Sequence, residues 1–87
     1  MTEENKNKIK DVAKYWGNTM PIMAMEEAGE LIQAISKYER NLSDEEKQNL
    51  IDEIGDMFIS LHALIEHYDI DSSKVKLRIG KKLNKRY

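Results

Sequence analysis

The residues best suited to chemistry form one pattern that occurs twice. The first copy is Glu27-Ala28-Gly29-Glu30, preceded by Glu26; the second is Glu53-Ile54-Gly55-Asp56, preceded by Asp52. Each copy is an acid, two small or apolar residues ending in glycine, and a second acid. Positions three apart on an α-helix lie roughly 60° apart around its axis, so each pair of carboxylates projects from one face. Two such helices packed antiparallel would bring four carboxylates into one cleft. Two carboxylates about 4 Å apart repel by roughly 4 kcal/mol at an effective dielectric near 20, so the cluster calls for a cation or protons. All-oxygen ligands suit Mg²⁺ or Mn²⁺, with substrate phosphates completing the shell.

Other metal and nucleophile chemistries fit less well. A di-iron carboxylate bundle would place Glu-x-x-His on two helices, whereas the third position after Glu27 is Glu30 and after Glu53 is Asp56. His62 and His67 fit no such spacing and read as helix-surface or partly packed residues. There is no Gly-rich phosphate loop and no Ser/His/Asp arrangement. Glu3-Glu4 and Glu45-Glu46 read as solvated faces. The glycines at matching places in both motifs, Gly29 and Gly55, each cost a helix interior about 1 kcal/mol relative to alanine. They point to close approach of a backbone or a ligand, the alternative being simple tolerance of glycine there.

Four helices are expected to position these groups. Thr2 can cap the first, on which Ile9, Val12, Ala13 and Trp16 follow the spacing of one buried face. Gly17-Asn18 reads as a stop, and Thr19 with Pro21 restarts a helix that runs to about Arg40. Its apolar stripe is Ala24, Ala28, Leu31, Ile35 and Tyr38, and Glu27 lies beside it, flanked by Met23, Ala24, Leu31 and Ala34. Ser43 with Glu46 makes a capping box for the third helix. Leu50, Ile51, Ile54, Met57, Phe58, Leu61, Leu64 and Ile65 give that helix a wide apolar face lasting to about Tyr68. The short connection at Asn41-Leu42 makes the second and third helices antiparallel neighbours. Asp71 or Ser72 can cap a fourth helix, with Val75, Ile79 and Leu83 recurring every four residues.

The 87 residues make one domain, spanning 1–87, of an all-α class: an antiparallel bundle of about four helices, completed by oligomerisation because so short a chain buries a modest share of its surface. A 40% hydrophobic and 34% charged composition fits a helix-rich globular protein. The absence of cysteine excludes disulfides and thiolate metal sites. No apolar run would span a bilayer, and the polar segment Met1 to Lys10 lacks the core of a signal peptide, so the cytoplasm is expected and a membrane partner is not. The net charge of −2 hides an asymmetry: all 16 acids lie at or before Asp71, whereas Ser72 to Tyr87 carries seven bases and no acid. An acidic body with a basic end can hold a metal and a polyphosphate together, and the overall balance argues against nucleic acid as the principal ligand.

With Leu31 closing its first half, the paired pattern Glu26-Glu27-Ala28-Gly29-Glu30-Leu31 and Glu53-Ile54-Gly55-Asp56 resembles the Glu-Glu-x-x-Glu…Glu-x-x-Asp signature of the MazG-like all-α nucleoside triphosphate pyrophosphohydrolases. The likeness extends from about Trp16 to the C-terminus. It implies Mg²⁺-dependent hydrolysis of a nucleoside triphosphate to the monophosphate and pyrophosphate, in a homodimer or homotetramer. By position, Glu27, Glu30, Glu53 and Asp56 would be the metal ligands. Glu26 would orient or deprotonate the attacking water, with its role and that of Glu27 open to exchange. Lys82, Asn84 and Arg86 are the nearest counterparts of the family's phosphate-binding residues, and Lys81 or Lys85 could serve instead. Trp16 and Asn18 would line the base pocket, unless Trp16 belongs to the core. The rival reading, from another class, is a non-catalytic helical interaction module that keeps the bundle.

Overall fold

The computed structural model describes residues 1–86, with side chains through Asn84. Helix α1 spans Glu3–Trp16 and starts where Thr2 Oγ1 accepts the Asn5 N–H at 3.1 Å. It stops at Gly17, whose φ of 52° and ψ of −128° suit glycine and few other residues. A 3₁₀ turn, Gly17–Thr19, leads into α2, Met20–Arg40, with Pro21 in its first turn, where its missing N–H is harmless. Helix α3 spans Asp44–His67. Its cap is half a capping box. Ser43 Oγ accepts the Glu46 N–H at 3.1 Å, but the Ser43 N–H donates to the Asn41 carbonyl at 2.7 Å and is not free for the Glu46 carboxylate. Asp71 Oδ1 accepts from both the N–H and the hydroxyl of Ser73, and α4 follows as Ser72–Arg86. The described residues are all-α, as their periodicities predict.

Helices α2 and α3 form the main packed pair, and α1 lies chiefly against α3. The core is small: Ile9 and Ala13 of α1, Met20 and Ala24 of α2, and Ala63 of α3, with Val12, Met23 and Leu64 against it. Small side chains at the contact let helix axes approach closely. Ala24 and Ala34 on α2 and Ser60 and Ala63 on α3 are the buried small residues of that pair. This corrects the expected stripes. Ala34 rather than Ile35 faces inward on α2, and on α3 the buried positions are Ser60 and Ala63, while Ile51, Ile54, Phe58 and Leu61 are exposed. A wide apolar face matched two faces of α3 at once, and periodicity alone did not separate them.

Helix α4 stands off the others and shares little contact with any of them, leaving Val75, Ile79 and Leu83 exposed. The radius of gyration, 15.0 Å, exceeds the roughly 12 Å of a compact chain of this length. Among the described residues nothing comes close to the glycines either, since a Cβ on Gly29 or Gly55 would meet nothing within 4 Å.

Candidate metal centre

Antiparallel packing sets the middle of α2 against the middle of α3, which is where the two acidic motifs fall. Carboxylate oxygens of Glu27, Glu30 and Glu53 converge within 4.8 Å of one another. Glu27 and Glu53 are half-buried, and Glu30 is exposed at the rim. Glu27 Oε2 and Glu53 Oε2 are both shut off from solvent and lack any hydrogen-bond partner. A buried anionic oxygen without a donor is costly, so this is an arrangement that asks for a ligand.

The electrostatics agree. Burial, first, and then the charges of Glu30, Asp56, Glu53 and Glu26 push the Glu27 carboxyl above its ordinary value. Glu53 is also pushed up, by burial and then by Glu30 and Asp56, with Glu30 close enough to share a proton and Asp52 adding a smaller repulsion. No base among the described residues is a cause of either shift. Among the described residues the ion pairs are Lys6–Glu3 at 3.7 Å and Lys8–Glu4 at 3.3 Å, both along α1. Three converging carboxylates, two of them with an unpartnered oxygen, in a field of six acids fit a hard divalent cation better than a histidine- or thiolate-bound one.

Asp56 lies outside the tightest group but near enough to act on both Glu27 and Glu53. Glu26 is exposed beside Glu27, and Asp52 accepts a hydrogen bond from Gln48 Nε2 at 2.9 Å. A cleft of about 180 Å³ adjoins the cluster and is lined by Glu30, Gln33, Ala34, Lys37, Asn49, Asp52 and Glu53. Gln33, Lys37 and Asn49 were not singled out from the sequence. Their signal is helical spacing: Gln33 and Lys37 continue the Glu30 face of α2, and Asn49 is one turn before Glu53 on α3.

The expected substrate-binding residues do not gather here. Trp16 and Asn18 lie at the end of α1 and in the following turn, and neither lines this cleft. Trp16 is partly exposed and meets Tyr15 edge-on at 5.1 Å between ring centroids, so it is no core residue. Lys81, Lys82 and Asn84 border a shallow groove along α4, with Ser73 and Lys76 and with none of the carboxylates. The side chains of Lys85 and Arg86 lie outside the described residues. His62 is exposed, and His67 packs edge-on against Tyr68, as their spacing suggested.

No curated protein and no solved structure matches the chain. A family model does, from residue 17 to residue 87, a stretch that begins where α1 ends and takes in both acidic motifs and the helices that carry them. Matching so much of the chain, it shows that this protein belongs to the MazG nucleotide pyrophosphohydrolase domain family.

Proposed function

We propose that the chain hydrolyses a nucleoside triphosphate, ribo- or deoxyribo-, to the monophosphate and pyrophosphate, and that it requires Mg²⁺, with Mn²⁺ able to replace it. The observation that carries this reading is the convergence of Glu27 and Glu30 of α2 with Glu53 of α3, two of which, Glu27 and Glu53, each hold a solvent-shielded oxygen without a hydrogen-bond partner. Family membership supplies the reaction class. Glu27, Glu30, Glu53 and Asp56 hold the cation. Bound there, it supplies the positive charge that phosphate oxygens need and acidifies water.

The remaining steps belong to the chain's own residues. Glu26, exposed next to Glu27, orients the attacking water and accepts its proton; Glu27 can exchange that role with it. The water oxygen bonds to the α-phosphorus, the bond from that phosphorus to the bridging oxygen breaks, and pyrophosphate departs with the electron pair. Trp16 and Asn18 contact the base. Lys81, Lys82, Asn84, Lys85 and Arg86 are the candidates for phosphate contact. Because α4 stands off the other helices, such contact needs α4 to come over the cleft, from this chain or from a neighbouring copy in a homodimer or homotetramer.

The test is incubation of the pure protein with a panel of nucleoside triphosphates and Mg²⁺. Monophosphate and pyrophosphate in equal amounts, abolished by EDTA, are expected. Metal binding without turnover on any triphosphate would instead leave a helical interaction module.

A further inference from the structure

The cleft beside the carboxylates gives the site a direction. It shares Glu30 and Glu53 with the cluster and runs on past Gln33, Ala34 and Lys37 of α2 and Asn49 and Asp52 of α3, as a recess in the acidic front of the pair. Gln33 and Lys37 lie C-terminal to Glu30, and Asn49 lies N-terminal to Glu53. In an antiparallel pair both displacements lead toward the turn that joins α2 to α3. Trp16 and Asn18 lie the other way, before α2 begins. Along the hairpin the order is therefore aromatic residue, carboxylates, recess, and among the described residues the one base lining the recess is Lys37.

We infer that Lys37, with the side-chain amides of Gln33 and Asn49, binds the leaving pyrophosphate, so that a nucleoside triphosphate lies along the hairpin with its base toward α1 and its terminal phosphates toward the α2–α3 turn. This rests on the hydrolysis proposed above and adds to it a leaving-group subsite and a polarity. The departing pyrophosphate gathers negative charge that has to be met by cations and hydrogen-bond donors. The described bases of α4 border none of the carboxylates, whereas Lys37 shares a recess with two of them. Its ammonium is not committed elsewhere: the ion pairs among the described residues both lie on α1. Lys37 is two turns, about 10 Å, beyond Glu30, and side chains on a helix lean toward its N-terminus, which here is toward the cluster. Gln33 and Asn49 add neutral N–H donors to that charge. At about 180 Å³ the recess is smaller than the roughly 300 Å³ at which pockets for drug-sized ligands begin, which suits phosphate groups and not a nucleoside.

A base in the last turn of α2 also complements the helix dipole, and Arg40 separates that role from phosphate binding. It occupies the same turn, but its Nε donates to the Ser36 carbonyl at 3.3 Å and it does not line the recess. Calorimetric titration with inorganic pyrophosphate in the presence of Mg²⁺ tests the subsite without turnover. Lys37→Gln is expected to weaken pyrophosphate binding by about tenfold or more, Lys37→Arg to restore most of it, and Arg40→Gln to leave it unchanged. Thermal melts of Lys37→Gln and Arg40→Gln should match, since both lose the same dipole contact. Binding of the other product, the nucleoside monophosphate, is expected to stay at parental strength in Lys37→Gln. A parent that binds no pyrophosphate with Mg²⁺ overturns the inference, as does unchanged pyrophosphate binding in Lys37→Gln. Loss of monophosphate binding in place of pyrophosphate binding overturns the polarity. A parent that hydrolyses no triphosphate yet binds pyrophosphate through Lys37 sinks the hydrolysis and keeps the subsite; an active parent whose Lys37→Gln variant binds pyrophosphate normally sinks the subsite alone.

Discussion

Glu27 of α2 and Glu53 of α3 each turn one carboxylate oxygen away from solvent, and neither oxygen meets a donor. Each is a half-buried acid at the centre of its helix, and with Glu30 they place oxygens within 4.8 Å of one another. The mutual repulsion is a property of the folded chain alone. Unfolding would separate the two helices and relieve it.

Removing charge at the site should abolish turnover and spare the fold. Glu30→Gln or Asp56→Asn keeps nearly the same shape but loses the anion that holds a hard cation. Loss of hydrolysis of at least a hundredfold at limiting Mg²⁺, with unchanged far-ultraviolet circular dichroism, is the expected result. Near-parental rates would remove these residues from the ligand set.

The metal-free protein should become more stable as the pH falls from neutrality. Both Glu27 and Glu53 have carboxyls raised above the ordinary value of 4.5, so the folded state binds more protons than the unfolded state between that value and the raised ones. Their contribution to stability is therefore fully present below pH 4.5 and is lost as the pH rises through the folded-state values. Asp71 has the opposite sign: its bonds to Ser73 hold its carboxyl low, so its contribution fades only in stronger acid. In EDTA, melting temperatures from pH 7.5 to 5 should climb, and Glu53→Gln should flatten the climb.

Magnesium should reverse that pH trend by stabilising the charged cluster. For a dissociation constant of about 1 mM, 10 mM Mg²⁺ would add about 1.4 kcal/mol. In a domain of this size that raises the melting temperature by about 5 to 10 °C. NaCl at matched ionic strength controls for general screening. The variant carrying both Glu30→Gln and Asp56→Asn should melt above the parent without metal and respond little to Mg²⁺. Equal shifts with the two salts would count against a specific site. A double variant less stable than the metal-free parent would mean that these acids serve structural hydrogen bonds.

Gly55→Ala tests why a glycine sits in the second motif. It is exposed, and a Cβ there meets no atom of the chain, so helix propensity alone should stabilise the variant by up to about 1 kcal/mol. Denaturant melts measure this, and hydrolysis should be assayed alongside. Retained activity is expected. Greater stability together with impaired turnover would show that the nucleotide comes against this backbone.

How much of this was legible in the sequence follows from which interactions are local. Caps and breaks depend on neighbours in the chain, so Thr2, Gly17, Pro21, Ser43 and Asp71 placed the helix ends well. The acidic pairs were visible because a repeat on two helices joined by a short connection can only meet. The partition of α3 was not legible: Ile54 and Leu61 fit a buried stripe as well as Met57 and Leu64 do, and only the position of the neighbouring helices distinguishes them. Ser60 and Ala63 escaped notice for a related reason, since close helix contact selects small side chains and not strongly hydrophobic ones. The basic residues of the last helix were assigned by resemblance, and tertiary placement decides what they face.

The separation of α4 from the other helices has a consequence for how the molecule behaves in a field. The segment from Ser72 onward holds seven bases and no acid, and the residues before it are net −9. With α4 held off the acidic body, a single chain is an electric dipole and not a uniformly weak anion, although the two ends average to −2. Chains approaching one another in dilute salt are thus oriented before they touch, basic helix toward acidic front. The reach of that alignment is about 30 Å at 0.01 M salt and contracts to about 10 Å at 0.1 M. Ion-exchange retention should depend on which end meets the matrix, more than on the average charge.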